Sequence, residues 1–278
     1  MHEIRPDQSI DLLKELHILT RDGKMNQDSR RKLKQVYHLY QFIEPLLQKI
    51  KQDGRDIFLV DHGAGKSYLG FILYDLFFKA LNDASHIYSI ETRADLVRHS
   101  QELASRLGFP NMTFLNLSVE ESVESAGLPP AVDVVTALHA CNTATDDAIR
   151  FALCKKAQFI VLVPCCQAEV AAVLRKNKDK RLEENDLGEL WRHSIHTREF
   201  GSHVTNVLRC LQLEAHGYQV TVTELVGWEH SMKNELIIAR YKNLPRNRAA
   251  SRLQAVLHIL GLEELNSRFF TQVSQMLE

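Results

Sequence analysis

The sequence predicts an α/β fold, a mainly parallel sheet with helices on both faces and one antiparallel strand closing it. Three observations carry this. From about residue 57 onward, short apolar runs of strand length alternate with amphipathic helical stretches. The run Ile57-Phe58-Leu59-Val60 is apolar throughout, as a strand buried on both faces must be, and leads into the glycine-rich turn Asp61-His62-Gly63-Ala64-Gly65. Near the end, Tyr218 to Val226 and Glu235 to Tyr241 are joined by a connection too short for a crossover, so these two strands must run antiparallel.

Ahead of the sheet, Ser9 to Thr20 and Ser29 to Lys51 carry apolar residues at helical spacing, among them Leu33, Val36, Tyr40, Ile43 and Leu47. Asp53-Gly54 ends that pattern. Helices are then expected over Lys66 to Leu81, Ala94 to Leu107 and Thr145 to Lys156, and strands over His86 to Ile90, Met112 to Leu117, Val132 to Leu138 and Phe159 to Val163. A helix from about His203 to His216 precedes the hairpin, and Arg248 to Leu260 and Leu262 to Leu277 follow Leu244-Pro245 as a tail. The expected organisation is an N-terminal helical segment at 1–52, a cofactor-binding domain at 53–242 and a C-terminal helical tail at 243–278.

With 278 residues, 45% hydrophobic and 25% charged, the chain can bury a substantial core. Its net charge of -1 excludes a global basic field, so any nucleic-acid contact must be local. Three stretches offer one: Arg30-Arg31-Lys32 with Lys34, Arg175-Lys176 with Lys178, Lys180 and Arg181, and Arg246 with Arg248 and Arg252. For each, a solvated helix face or loop is the simpler reading. Cysteines at 141, 154, 165, 166 and 210, with no charged-then-apolar leader at Met1-His2-Glu3, imply a reducing cytoplasm. No apolar run approaches the roughly 20 residues of a membrane helix, so no span is expected.

Gly65-Lys66-Ser67 has the ending of a phosphate-binding loop, but such a loop needs glycine where Val60 stands. Asp61 would also repel a triphosphate, whereas it suits a ligand carrying an ammonium and a sulfonium. Gly63 and Gly65 let the backbone turn sharply and approach that ligand. Glu91, ending the strand His86 to Ile90, is placed to accept hydrogen bonds from both hydroxyls of a ribose. Asn116 to Ser118, at the end of the next strand, are candidates for an adenine ring, and Lys66 for a carboxylate or for solvent. Glycine turn, spaced acid and closing hairpin together are the arrangement of class I S-adenosylmethionine-dependent methyltransferases. The expected cofactor contacts are Asp61, Gly63, Gly65, Lys66, Glu91 and Ser118, and the cofactor S-adenosylmethionine.

Three strings extend the likeness: Asp61-His62-Gly63-Ala64-Gly65-Lys66-Ser67-Tyr68-Leu69, Leu138-His139-Ala140-Cys141-Asn142-Thr143-Ala144-Thr145-Asp146 and Val163-Pro164-Cys165-Cys166-Gln167. From about Lys32 to Tyr241 the chain resembles a group of bacterial methyltransferases similar to the methyltransferase domain of glutathione-S-transferase C-terminal-domain-containing proteins. The resemblance implies the fold and the cofactor, but no substrate. The chain departs from that pattern at Ala64, Asn142 and Asn206, where the pattern often has a cysteine, an acid and an acid; a catalytic role does not carry over to those positions.

Beyond the carboxyl ends of the fourth and fifth strands, His139, Cys141, Cys165 and Cys166 are the catalytic candidates. A thiolate attacking carbon 6 of a pyrimidine is the nucleophilic reading, and packing is the simpler one for a cysteine. His139 is the candidate general base. No Cys-x-x-Cys pair prearranges a metal site, and none is expected. Asp146 is expected to serve the helix N-terminus. No Asn/Asp-Pro-Pro-aromatic loop for amine methylation is present. The expected function is methyl transfer, with RNA favoured over protein as acceptor. A small-molecule methyltransferase and a cofactor-binding protein without turnover are the alternatives, and a nucleotide hydrolase is a remote one.

Overall fold

The computed structural model describes residues 4–5, 7–138, 142–164, 167–177, 186–225 and 235–269. Seven strands pair in one sheet: β1 (Phe58–His62), β2 (His86–Ile90), β3 (Met112–Leu115), β4 (Val134–Leu138), β5 (Phe159–Val163), β6 (Tyr218–Glu224) and β7 (Glu235–Tyr241). Their order is β3-β2-β1-β4-β5-β7-β6. The pairs β1/β2, β1/β4, β2/β3 and β4/β5 are parallel, and β7 runs antiparallel to both β5 and β6. This is the architecture expected from the sequence.

Sheet order reverses between β1, followed outward by β2 and β3, and β4, followed by β5. Such a switch point opens a crevice beyond the carboxyl ends of the strands, where ligands of open α/β sheets sit.

Alternate residues of each central strand face opposite layers, which is why the strands read as unbroken apolar runs. Leu59, Val134 and Val161 join a cluster with Phe71, Ile72, Ile87 and Phe114 on one face. Val60, Val135, Ile160 and Leu162 join Ile149, Phe151 and Tyr218 on the other. Helices α1 (Ile10–Glu15) and α2 (Gln27–Gln52) complete the first face with Leu12, Leu13, Ile43 and Leu47. A tether fixes their entry, since the Ser9 N–H donates to Asp75 at 2.9 Å in α3 (Tyr68–Leu76).

Between the strands, α4 (Ala94–Leu107), α5 (Val119–Glu124), α6 (Ala144–Cys154), α7 (Glu169–Lys176) and α8 (Ser194–Ala215) follow in chain order. The tail is α9 (Asn247–Leu260), a 3-10 turn at Glu263–Leu265 and α10 (Asn266–Phe269). Its Leu253, Leu257 and Leu262 pack with Val170, Leu174, Trp191, Val204 and Leu208 in a third cluster.

Three expected helices differ most from their expected bounds. The first stops at Glu15 because His17 takes a left-handed φ of 52° and the Leu13 carbonyl closes on the N–H groups of Ile18 and Leu19, which turns both into the core. The helix after β1 starts at Tyr68, with the left-handed Ser67 still in the turn, and ends at Leu76 before a 3-10 turn. The helix expected from His203 begins nine residues earlier, at Ser194, and carries Gly201 inside it. Helix α7 was not expected, and nor was α5. The signal of α5 is the capping box in which Ser118 accepts the Glu121 N–H and Glu121 accepts the Ser118 N–H.

Gly201 is where α7 and α8 touch. A β-carbon there would lie 2.7 Å from the Ala171 β-carbon and 2.8 Å from its backbone, so the helices cannot approach this closely around any other residue. We expect Gly201→Ala to cost about 1–3 kcal/mol through overpacking, seen as a lower melting temperature in calorimetry. An unchanged transition would mean that the helices separate freely.

Candidate cofactor cradle and the carboxyl edge of the sheet

The turn after β1 alternates left-handed residues: Gly63 at φ 66°, Gly65 at 58° and Ser67 at 54°. Only glycine takes these angles without a β-carbon clash, and the first two positions supply it. The turn is laced to β2 and to itself. The Ala64 N–H donates to the Ile90 carbonyl at 3.0 Å, the Ser67 N–H to the Ala64 carbonyl at 2.8 Å, and the Gly65 N–H to Glu91 Oε2 at 2.8 Å.

Glu91 follows β2 and is buried. Burial pushes its carboxyl up, but the Arg93 side chain and N–H, with the Gly65 N–H, outweigh this and hold it below the usual range. It is therefore an ionised acceptor at neutral pH. Its backbone carbonyl takes a hydrogen bond from Asn116 Nδ2 at 2.9 Å, which ties the ends of β2 and β3 together.

Asp61, expected to face a cationic ligand, is instead turned inward. It is only 2% exposed. It accepts from Thr136 Oγ1 at 2.7 Å on β4 and from the Gly70 N–H in the first turn of α3. Burial raises its pKa to about 7, against the pull of those two donors. Asp61 thus fastens β1 to β4 and occupies the positive end of α3, whose own first turn lacks an acid. His62 faces the other layer, its ring 5.4 Å from that of Phe151. Among the described residues neither ring nitrogen has a hydrogen-bond partner, and burial lowers its pKa to about 4, so the ring is neutral.

Lys66 is exposed in the turn and does not open the helix. Ser118 is engaged as the cap of α5. Val60, where a phosphate loop needs glycine, is fully buried in β1 and paired with Tyr88 and Val135, so no such loop spans this stretch.

Across the switch point, Leu138 and Val163 lie opposite each other at the ends of β4 and β5. The four catalytic candidates, His139, Cys141, Cys165 and Cys166, lie outside the described residues. The sequence reading missed a buried charge network among the described residues. Arg209, fully buried in α8, grips Asp146 through two bonds of 2.7 Å, and its fork also donates to the Asn142 carbonyl at 3.0 Å and to Asn206 Oδ1 at 3.2 Å. Asp146 does sit in the first turn of α6, yet its side chain is taken up by this ion pair rather than by the helix end. The available signal was Ser202, Asn206 and Arg209 at helical spacing among the apolar residues of α8. Among the described residues, no cluster of histidine, cysteine or acidic side chains is built to hold a metal, and no helix is long and apolar enough to cross a membrane.

Comparison with known proteins adds the following. The family model described as a methyltransferase domain matches residues 31–173, more than half of the chain. A Drosophila melanogaster glutathione S-transferase C-terminal domain-containing protein homolog is 27% identical over 176 residues, covering 56% of this chain and only 29% of that relative. Among solved structures, a Klebsiella pneumoniae protein described as an O-methyltransferase aligns with a TM-score of 0.51 at 15% identity, covering 86% of this chain and 92% of its own. A Podospora anserina methyltransferase aligns at 0.47 and 12% identity, covering 86% and 89%.

Proposed function

Because the chain belongs to the methyltransferase-domain family, we propose that it transfers the methyl group of S-adenosylmethionine to an acceptor at the carboxyl edge of β4 and β5, with RNA favoured over protein. The observation that carries this reading is the contact between the Gly65 N–H and Glu91 across β1 and β2. It joins a left-handed glycine turn and an ionised acid at the switch point of the sheet.

The residues fit the group. Glu91 presents a buried carboxylate to a ribose diol, and its exposed partner Arg93 can swing off it at small cost, as surface ion pairs do. Gly63 and Gly65 allow backbone approach to the methionine portion, and Asp61 fixes the turn that they form. Lys66 lies exposed in that turn, and Ser118, which caps α5 three residues after β3, is the candidate for the adenine end. His139, Cys141, Cys165 and Cys166 remain the candidates for the acceptor side on sequence alone. The bound cofactor would supply an electrophilic methyl group, and the chain would orient it and exclude water.

RNA is favoured because Arg30, Arg31 and Lys34 are exposed along α2 and Arg175 and Lys176 on α7. Cysteine usage supports a cytoplasmic location. Calorimetric titration with S-adenosylmethionine tests the cofactor, and transfer of labelled methyl into RNA, protein and metabolite fractions of a strain lacking the protein tests the acceptor. Glu91→Ala is expected to weaken cofactor binding by about 2–3 kcal/mol, the value of hydrogen bonds to a desolvated charge. Wild-type binding without label in any fraction would instead make the chain a binding protein. An identical titration for the variant would move the site elsewhere.

A further inference from the structure

A polar network stands where the structure has most to lose by burying one. Arg209 lies in the apolar layer beneath the carboxyl edge of the sheet, and its three nitrogens are all spent on Asp146, the Asn142 carbonyl and Asn206. Asn206 in turn accepts from Gln167 Nε2 at 2.7 Å and donates to Glu235 Oε2 at 2.5 Å, and Ser202 Oγ donates to Gln167 Oε1. Asn142 Oδ1 accepts the Ala168 N–H at 3.2 Å. One guanidinium therefore reaches, directly or through one amide, the segments that follow β4 and β5 and the first residue of β7.

A core built for stability alone would be better served by apolar side chains, because desolvating an ion pair costs as much as its attraction returns. What apolar side chains cannot do is fix polar backbone at a set distance. Asn142 turns the chain at φ 53°, a left-handed angle that asparagine adopts more readily than other residues with a β-carbon, and its carbonyl and side-chain oxygen are both held, by Arg209 and by the Ala168 N–H. The close crossing at Gly201 and Ala171 brings α7 and α8 near enough for the Gln167 to Asn206 bond.

We propose that Arg209 is a positioning residue for methyl transfer, holding Asn142 after β4 and Gln167-Ala168 after β5 at a fixed spacing beside the cofactor edge. This rests on the methyltransferase reading above. Arg209 acts through those segments and touches neither the glycine turn nor Glu91. Its loss should therefore be felt by the acceptor and not by the cofactor.

The test compares wild type with Arg209→Lys, which keeps the charge but cannot reproduce the fork, and with Asn142→Gly, which relieves the left-handed backbone and removes the bond to Ala168 without disturbing the Arg209 and Asp146 pair. Three quantities are read: S-adenosylmethionine affinity by calorimetry, labelled methyl transfer against increasing amounts of the accepting extract fraction, and exchange of the Ala168 amide by NMR against the amides of Ile160 to Leu162. The expected result for both variants is cofactor affinity within about twofold of wild type, Ala168 exchange at least about tenfold faster with the β5 amides unchanged, and transfer reduced at least about tenfold, the loss being larger at low acceptor. Transfer at the wild-type rate with a loosened Ala168 would overturn the proposal. So would a fall in cofactor affinity that matches the fall in transfer. If wild type itself bound no cofactor, the parent reading would fall and this one with it. That outcome is distinct, because it appears before any variant is compared.

Discussion

Asp146→Ala should destabilise the folded protein by about 3–5 kcal/mol, because it strands a fully buried guanidinium without its counter-charge. The carboxylate of Asp146 takes two of the four bonds that Arg209 makes, and water cannot replace it, since both side chains are all but inaccessible. In a chain of this size each kilocalorie moves the melting temperature by about 2–4 °C, so calorimetry should show a drop of about 6–20 °C. The double substitution Asp146→Leu with Arg209→Met should recover much of that loss, because it removes both charges together. A single variant that melts with wild type would mean that Arg209 finds another partner.

Gly65→Val should abolish most cofactor binding while leaving the protein folded. At φ 58° a β-branched side chain is strongly disfavoured, at a cost of about 1–2 kcal/mol from the backbone alone. If the turn relaxes to relieve the strain, the Gly65 N–H leaves Glu91. If it does not relax, the side chain stands where the ligand must approach. Either way affinity should fall by about thirtyfold or more, equivalent to about 2 kcal/mol. Gly65→Ala should be milder, since its β-carbon would stand at ordinary contact distances, 3.8 Å from Arg93 Nη2 and 4.0 Å from Glu91 Oε2. A calorimetric titration of Gly65→Val that matches wild type would place the cofactor away from this turn.

What could be read from the sequence, and what could not, follows the range of the interactions. Helix α4 was legible to the residue because its apolar positions repeat over four turns and Gly108 stops it in a left-handed cap. Strand β5 was legible because five consecutive apolar residues are buried on both faces. Helix α5 spans only six residues, too few to show a period, and α8 was cut short because Gly201 looks like a breaker until Ala171 is known to lie against it. The same division runs through the candidate site. Gly65 and Glu91 belong to local patterns, a turn after a strand and an acid after the next. The inward turn of Asp61 depends on Thr136, 75 residues on, and the Arg209 pair joins residues 63 apart. Helical spacing puts Arg209 on one face with Ser202 and Asn206, but names the distant partner of neither Arg209 nor Asp61.

The N-terminal helices carry a consequence for how the chain reaches this state. Leu12, Leu13, Ile43 and Leu47 belong to one cluster with Val134, Phe159, Val161 and Leu236. Helices α1 and α2 are made before the strands that share their cluster, and part of their apolar surface stays uncovered until those strands follow. Long-range closure of this kind slows folding and lengthens the interval in which a nascent chain can aggregate. Synthesis at reduced chaperone capacity should therefore trap this protein through α1 and α2, while the turn at Gly63 and Gly65 is still unmade.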